Sequence, residues 1–184
     1  MKKNMFPVLL FTAVAICSCK DKAAESVESR SQASNETLPM PVAYTGQSSI
    51  GSNNNTVTVM NWNKYMSMGQ VDSAFALLSD SVSISLADGS AFNTKNDSIK
   101  TILQAYVSNM KSIKIQYVAA LPIDVKTSTQ TDEWVLSWTD EVYTMKDGSV
   151  DHNIIHEDYR LVNGKIRQIN QYARKVPAPK TAKS

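Results

Sequence analysis

The chain has 184 residues, enough for one domain with appendages, and 42% of them are hydrophobic. It carries 19 Lys and Arg against 17 Asp and Glu, and residues 55–174 alone hold 11 basic and 13 acidic residues. A nucleic-acid partner would call for a basic face, and no such face is visible.

The start of the chain reads as a targeting segment. Lys2 and Lys3 precede the apolar run FPVLLFTAVAI, which is shorter than the roughly 20 residues a membrane-spanning helix needs. It ends in Ile16-Cys17-Ser18-Cys19, which resembles a bacterial lipobox, with a small residue just before the cysteine to be acylated. The resemblance implies a signal peptide over residues 1–18, cleavage before Cys19 and a diacylglycerol thioether on Cys19 as the link to the lipid bilayer. Each buried methylene of such a chain contributes about 0.8 kcal/mol to anchoring. Losing Lys2 and Lys3 leaves 17 basic against 17 acidic residues. Cys17 departs with the signal and Cys19 carries lipid, so no thiol remains for a disulfide, a thiolate metal site or a nucleophile. Residue 20 is Lys rather than Asp, so the inner-membrane retention signal familiar from enteric bacteria is absent, which points to the outer membrane of the envelope. Residues 19–54 are polar and without period, and read as a lipidated flexible tether. Residues 175–184, KVPAPKTAKS, read as a disordered basic tail.

Residues 55–174 form the expected domain. Residues 56–68 read as a helix with Val59, Trp62, Met66 and Gly69 on one face and Tyr65 at its margin, closed by Gly69. Residues 71–78 read as a second, short helix. SVSISLADG alternates as a half-buried strand, with Val82, Ile84 and Leu86 on one side. Residues 97–110 give the clearest helix, in which Ile99, Ile102, Leu103, Tyr106, Val107 and Met110 recur at helical spacing. Strand-like runs follow over roughly 112–126, 133–145, 150–162 and 165–174. Helices first and an antiparallel meander after predict an α+β fold, a cone-shaped curved antiparallel sheet wrapped around N-terminal helices and enclosing a pocket.

Two dipeptides set the strand register. Asn163-Gly164 predicts a two-residue type I′ turn, which places Leu161, Ile166, Tyr159, Gln168, Glu157, Asn170, Ile155 and Tyr172 on one face. The other face then carries Arg160, Asp158, His156, Ile169 and Gln171. Asp147-Gly148, read the same way, adds Trp134, Leu136, Trp138 and Asp140 to the first face. That face is expected to meet the helices. On this reading Trp62, Tyr65, Trp138 and Tyr172 are pocket walls, while Glu157, Asn170 and Asp140 orient polar atoms of a ligand. A slip of one residue in either hairpin would reverse the faces. His152 and His156 attract attention as a metal pair. On a strand, however, residues four apart have Cα atoms about 13 Å from one another, too far to share a zinc whose nitrogen ligands stand at about 2.0–2.1 Å. No metal site and no cofactor is expected.

The order and spacing of three stretches resemble the nuclear transport factor 2-like superfamily, in its SnoaL-like and ketosteroid-isomerase-like branch. These are the Gly69-Gln70-Val71-Asp72 link with LLSDSVSI, the helix NDSIKTILQAY, and DYRLVNGKIRQINQY. The resemblance implies the conical α+β fold, often dimeric. In the steroid isomerases a carboxylate base stands where this chain has Leu86, an oxyanion-holding tyrosine where it has Trp62, and a neutral carboxylic acid where it has Glu157. The base is therefore missing. The expectation is a membrane-anchored domain that binds a small, largely apolar molecule without catalysis. Two other readings are a protein-interaction module that dimerises through the outer sheet face, and an isomerase, cyclase or hydratase that uses Glu157 and Asp140 as an acid–base pair.

Overall fold

The computed structural model describes residues 39–40, 48–127 and 129–177. The signal segment, Cys19, most of the tether and the end of the tail lie outside the described residues. The elements in chain order are β1 (Ser48–Ile50), α1 (Asn53–Ser67), α2 (Val71–Phe75), β2 (Leu78–Ser85), β3 (Ala91–Lys95), α3 (Asn96–Ser108), β4 (Met110–Lys126), β5 (Thr131–Met145), β6 (Val150–Val162) and β7 (Lys165–Lys175). β1 and the first residues of α1 fall inside the segment read from sequence as a tether, so folded structure begins by Ser48.

The start and stop of α1 follow from local chemistry. Ser52 caps it, its hydroxyl accepting from the Asn54 amide at 3.2 Å. Gly69, at φ +70°, ends it, with Gly69 N donating to Met66 O at 3.1 Å and Gln70 N to Tyr65 O at 2.8 Å. This pair of bonds is the Schellman arrangement, and its left-handed residue favours glycine. Between the caps, Val59, Trp62, Asn63 and Met66 recur at helical spacing and are buried.

The seven strands form one open sheet in the order β1-β4-β5-β6-β7-β2-β3. All neighbours are antiparallel except β2 and β7, which run parallel, so the sheet is mixed rather than purely antiparallel. β4 and β5 have 17 and 15 residues, well beyond the usual 3–10. Register shifts interrupt β4 at Met110/Ser112 and Tyr117/Ala119, β7 opposite Arg160/Leu161, and β2 between Leu78 and Ser83. Each such bulge bends and twists its strand, and together they curve the sheet over α1, α2 and α3. The core lies in that curve: Val59, Trp62 and Met66 of α1, Ile99 and Leu103 of α3, and Val135, Tyr159, Leu161 and Ile169 of the sheet pack in one cluster.

The two hairpins differ from expectation in opposite ways. Asn163 (φ 52°) and Gly164 (φ 71°) form the two-residue turn with both residues left-handed, as read from sequence, and Val162 pairs with Lys165. Two residues later β7 bulges, so that Arg160 faces Gln168 and Glu157 faces Gln171. Ile169 and Gln171 thereby turn inward, and Gln168, Asn170 and Tyr172 outward. At Asp147-Gly148 the loop has three residues, not two. Gly148 N donates to Met145 O at 3.0 Å and Met145 N to Ser149 O at 2.9 Å, with Gly148 at φ +89°, the type I turn with a glycine bulge. Trp138 consequently pairs with His156 rather than Glu157. This slip of one residue turns Trp134, Leu136, Trp138 and Asp140 away from the helices. It buries Val135, Ser137, Thr139, Glu141 and Tyr143 against the helices instead.

Candidate ligand cavity

A cavity of about 330 Å³ lies between the helices and the curved sheet, a size at the lower end of small-molecule sites. Trp62 and Met66 of α1, Ile99 and Leu103 of α3, and Ile113 and Ile115 of β4 supply apolar wall. Its mouth opens beside Leu86, Asp88, Ser90 and Phe92, from β2 to β3, and beside Ile102 and Tyr106 of α3, which are partly exposed. The polar part is formed by Asn63, Glu141, Tyr143, Glu157 and Gln171.

Of the residues expected at a site, Trp62 and Glu157 line this cavity. Tyr65 packs against the core but is not among the described lining residues. Trp138, Asp140, Asn170 and Tyr172 are on the opposite face of the sheet, for the two register reasons above. There Asp140 is 2.7 Å from His152 Nε2, Trp138 and Tyr172 flank the His156 ring at centroid distances of 4.6 and 5.8 Å, and Asn170 accepts from Gln168 at 3.1 Å. The two histidines engage different acids, His156 Nε2 standing 2.9 Å from Asp158. Leu86 lines the cavity with Trp62 and Glu157, so the three positions matched to the isomerase machinery do converge.

Two polar clusters face the interior. In the first, Glu157 is buried on β6 beneath α1. Gln171 Nε2 donates to Glu157 Oε1 at 3.0 Å, and the Tyr159 hydroxyl bonds Glu157 Oε2. The same hydroxyl stands 3.2 Å from Asn63 Oδ1, while Asn63 Nδ2 donates to the Tyr117 hydroxyl at 2.7 Å. The Tyr159 hydroxyl has one proton and two acceptors beside it, so with an ionised Glu157 one acceptor goes short. With Glu157 protonated, a continuous chain of donors runs Glu157 to Tyr159 to Asn63 to Tyr117, and the Tyr159 hydroxyl has one donor and one acceptor beside it. Burial drives the same result and pushes the Glu157 carboxyl up to about 7, with Glu141 adding to the rise and the bonds from Tyr159 and Gln171 opposing it.

The second cluster is the buried Glu141 on β5. Thr139 Oγ1 donates to its Oε1 at 2.6 Å and the Tyr143 hydroxyl to its Oε2. Both neighbours donate, the arrangement that suits a carboxylate. Burial raises the Tyr143 hydroxyl well above its ordinary range, with Glu141 adding to it, and carries Tyr106 at the mouth up to about 12. Both phenols therefore remain protonated donors.

Sequence reasoning missed Asn63, Glu141 and Gln171. Signals for two of them were present. Asn63 completes the Val59, Trp62, Met66 stripe at helical spacing, a polar residue at a core position. Glu-x-Tyr occurs twice, as Glu141-Val142-Tyr143 and Glu157-Asp158-Tyr159, and alternation puts both members of each on one face. Gln171 depends on the β7 bulge, for which the sequence holds no clear sign.

No protein-family model and no curated protein matches the sequence. Solved structures do match. An epoxide hydrolase of the LEH-like type from M. tuberculosis superposes with a TM-score of 0.54 at 10% identity, covering 67% of this chain and 84% of that one. A nuclear transport factor 2-like protein of unknown function from Exiguobacterium sp. gives 0.50 at 19% identity, covering 64% and 98%. A protein of ketosteroid isomerase-like fold from Catenulispora acidiphila, in complex with trimethylamine, gives 0.50 at 10%, covering 62% and 83%. The chain has the nuclear transport factor 2-like fold. That fold serves several chemistries, so function has to be argued from the cavity.

Proposed function

We propose that this chain is an envelope lipoprotein whose domain binds a small, largely apolar ligand in its conical cavity and performs no reaction on it. One observation carries the binding reading. A cavity of about 330 Å³ with isoleucine, leucine, methionine and tryptophan walls ends on a few fixed polar groups, the composition of small-molecule sites. The chemistry expected of an isomerase is weakened at the base: Leu86 occupies that position, and Asp140, the alternative, stands outside the cavity beside His152. Anchoring rests on the basic start, the short apolar run and the lipobox at Cys19. No helix among the described residues is long and apolar enough to cross a membrane, and the proposed attachment needs none.

Native mass spectrometry of the protein taken from producing cells tests the binding reading. A non-covalent small-molecule adduct is expected on the wild type and not on Ile115→Trp, which fills the cavity from β4. Identical spectra without an adduct, together with no uptake of added apolar probes, would remove the reading.

A second reading is favoured by the outer sheet face. Trp134, Leu136 and Trp138 share that face with Leu121 and Tyr172, which are 51% and 57% exposed. Aromatic residues concentrated on one face are a mark of interfaces. This face would join two copies of the domain or dock an envelope protein, and it does not compete with the cavity.

A further inference from the structure

The two acids of the cavity differ in their hydrogen-bond partners, and this narrows the ligand. In its protonated form Glu157 is fully engaged with Tyr159 and Gln171. Glu141 only accepts, from Thr139 and Tyr143. A carboxylate has about four acceptor positions, so two remain on a side chain that lines the cavity. No Lys, Arg or His is among the described lining residues. A buried carboxylate without a cation is costly, and the side chains around this one provide none. At the mouth the exposed Asp88, held by the Ser90 amide at 2.8 Å, adds a second negative group on the path inward. The remaining wall is hydrocarbon and aromatic.

We propose that the ligand is an amine with a compact hydrocarbon body, bound as its ammonium ion with Glu141 as counter-ion and with the body against Leu86, Phe92, Leu103 and Ile113. The inference rests on the ligand-binding reading of the cavity and adds the chemical class. An ammonium N–H fills the free acceptor positions of Glu141 with charge-assisted bonds. A ligand carboxylate would meet Glu141 and Asp88 with like charge, and a neutral alcohol would leave Glu141 without a counter-ion.

The experiment uses three probes of similar skeleton: phenethylamine, phenethyl alcohol and hydrocinnamate. Each is titrated calorimetrically into the full chain in lipid nanodiscs, with empty nanodiscs subtracted. Phenethylamine should bind about tenfold or more tightly than phenethyl alcohol, the effect expected of one charge-assisted bond, and hydrocinnamate weakest. Glu141→Gln should abolish the preference, so that amine and alcohol bind the variant alike, whereas Glu157→Gln should keep the preference for the amine. If the wild type binds alcohol as tightly as amine, or a folded Glu141→Gln retains the preference, the amine assignment is overturned while the cavity reading stands on the alcohol's binding. If none of the three binds to a chain that circular dichroism shows folded, the cavity reading falls and the amine assignment with it. The wild-type ratio decides the class of ligand even should Glu141→Gln not fold.

Discussion

Replacing Glu157 with glutamine should remove a large part of the pH dependence of stability between about pH 4.5 and pH 7. The ordinary glutamate value is 4.5, and burial holds Glu157 at about 7 in the folded chain. Between those values the folded state keeps a proton that the unfolded chain has released. Stability is therefore greatest below about 4.5, falls as pH rises through the interval, and levels off above about 7. The gap corresponds to about 3 kcal/mol, because each pKa unit is worth about 1.4 kcal/mol. The groups around Glu157 that enter the comparison are Glu141, Tyr143 and Ser137 from β5, Tyr159 beside it on β6, Gln171 from β7, Asn63 from α1, Tyr106 from α3 and Tyr117 from β4. Of these only Glu141 is acidic. Asp88, Asp147 and Asp151 have lowered values set by local hydrogen bonds, so their contributions are lost only at lower pH and lie outside this window. Glutamine has the shape of the protonated acid and can keep both bonds, its Nε2 donating to the Tyr159 hydroxyl and its Oε1 accepting from Gln171 Nε2. Urea unfolding followed by tryptophan fluorescence, on wild type and Glu157→Gln from pH 4 to 8, reads the effect as a difference in which other titrations cancel. The wild type should lose about 3 kcal/mol relative to the variant over the interval. A difference that stays constant to within about 1 kcal/mol would refute the claim that Glu157 is buried and held protonated.

The register of β5 is tested by a matched pair. Val135→Asp, at a position with no exposure, should leave the chain unfolded by circular dichroism, while Leu136→Asp, one residue on, should keep the fold; the opposite result would restore the two-residue hairpin. Leu161→Ala, in the core beside Ile166 and at 2% exposure, should cost about 2–5 kcal/mol in urea unfolding. Gly164→Ala meets no atom within 4 Å, so its cost of about 1 kcal/mol is conformational, from a left-handed residue at φ 71°. Cys19→Ser should abolish metabolic labelling with palmitate and release the protein from the membrane fraction; continued labelling would place the lipid elsewhere.

The sequence made strand existence and helix faces legible because each depends on the spacing of a few residues within one element. Ile99 and Leu103, or Tyr159 and Leu161, share a face whatever their neighbours do. Glu157 was located correctly for that reason: it alternates with Tyr159 and Leu161 on a strand whose buried face is unambiguous. Trp134, Trp138 and Asp140 were misplaced because their face was inferred across a hairpin, where one loop residue inverts every side chain. Asp-Gly suits a two-residue turn and a three-residue turn with a glycine bulge alike. The large aromatics of β5 also point inward on sequence grounds, although apolar groups are common on the outer face of a sheet as well. Asn170 and Tyr172 went astray at a bulge, which depends on the strain of wrapping a long sheet around helices and not on residue type. Edge strands β1 and β3 are three and five residues long and too short to produce a period.

A crystal structure of the protein purified from producing cells, with no ligand added, tests the central claim most directly. The account predicts density in the cavity beyond ordered water, an apolar body lying against Ile113 and Leu103 with its polar end at Glu141. Water alone in the cavity, in protein that also fails to take up phenethylamine or phenethyl alcohol, would contradict it.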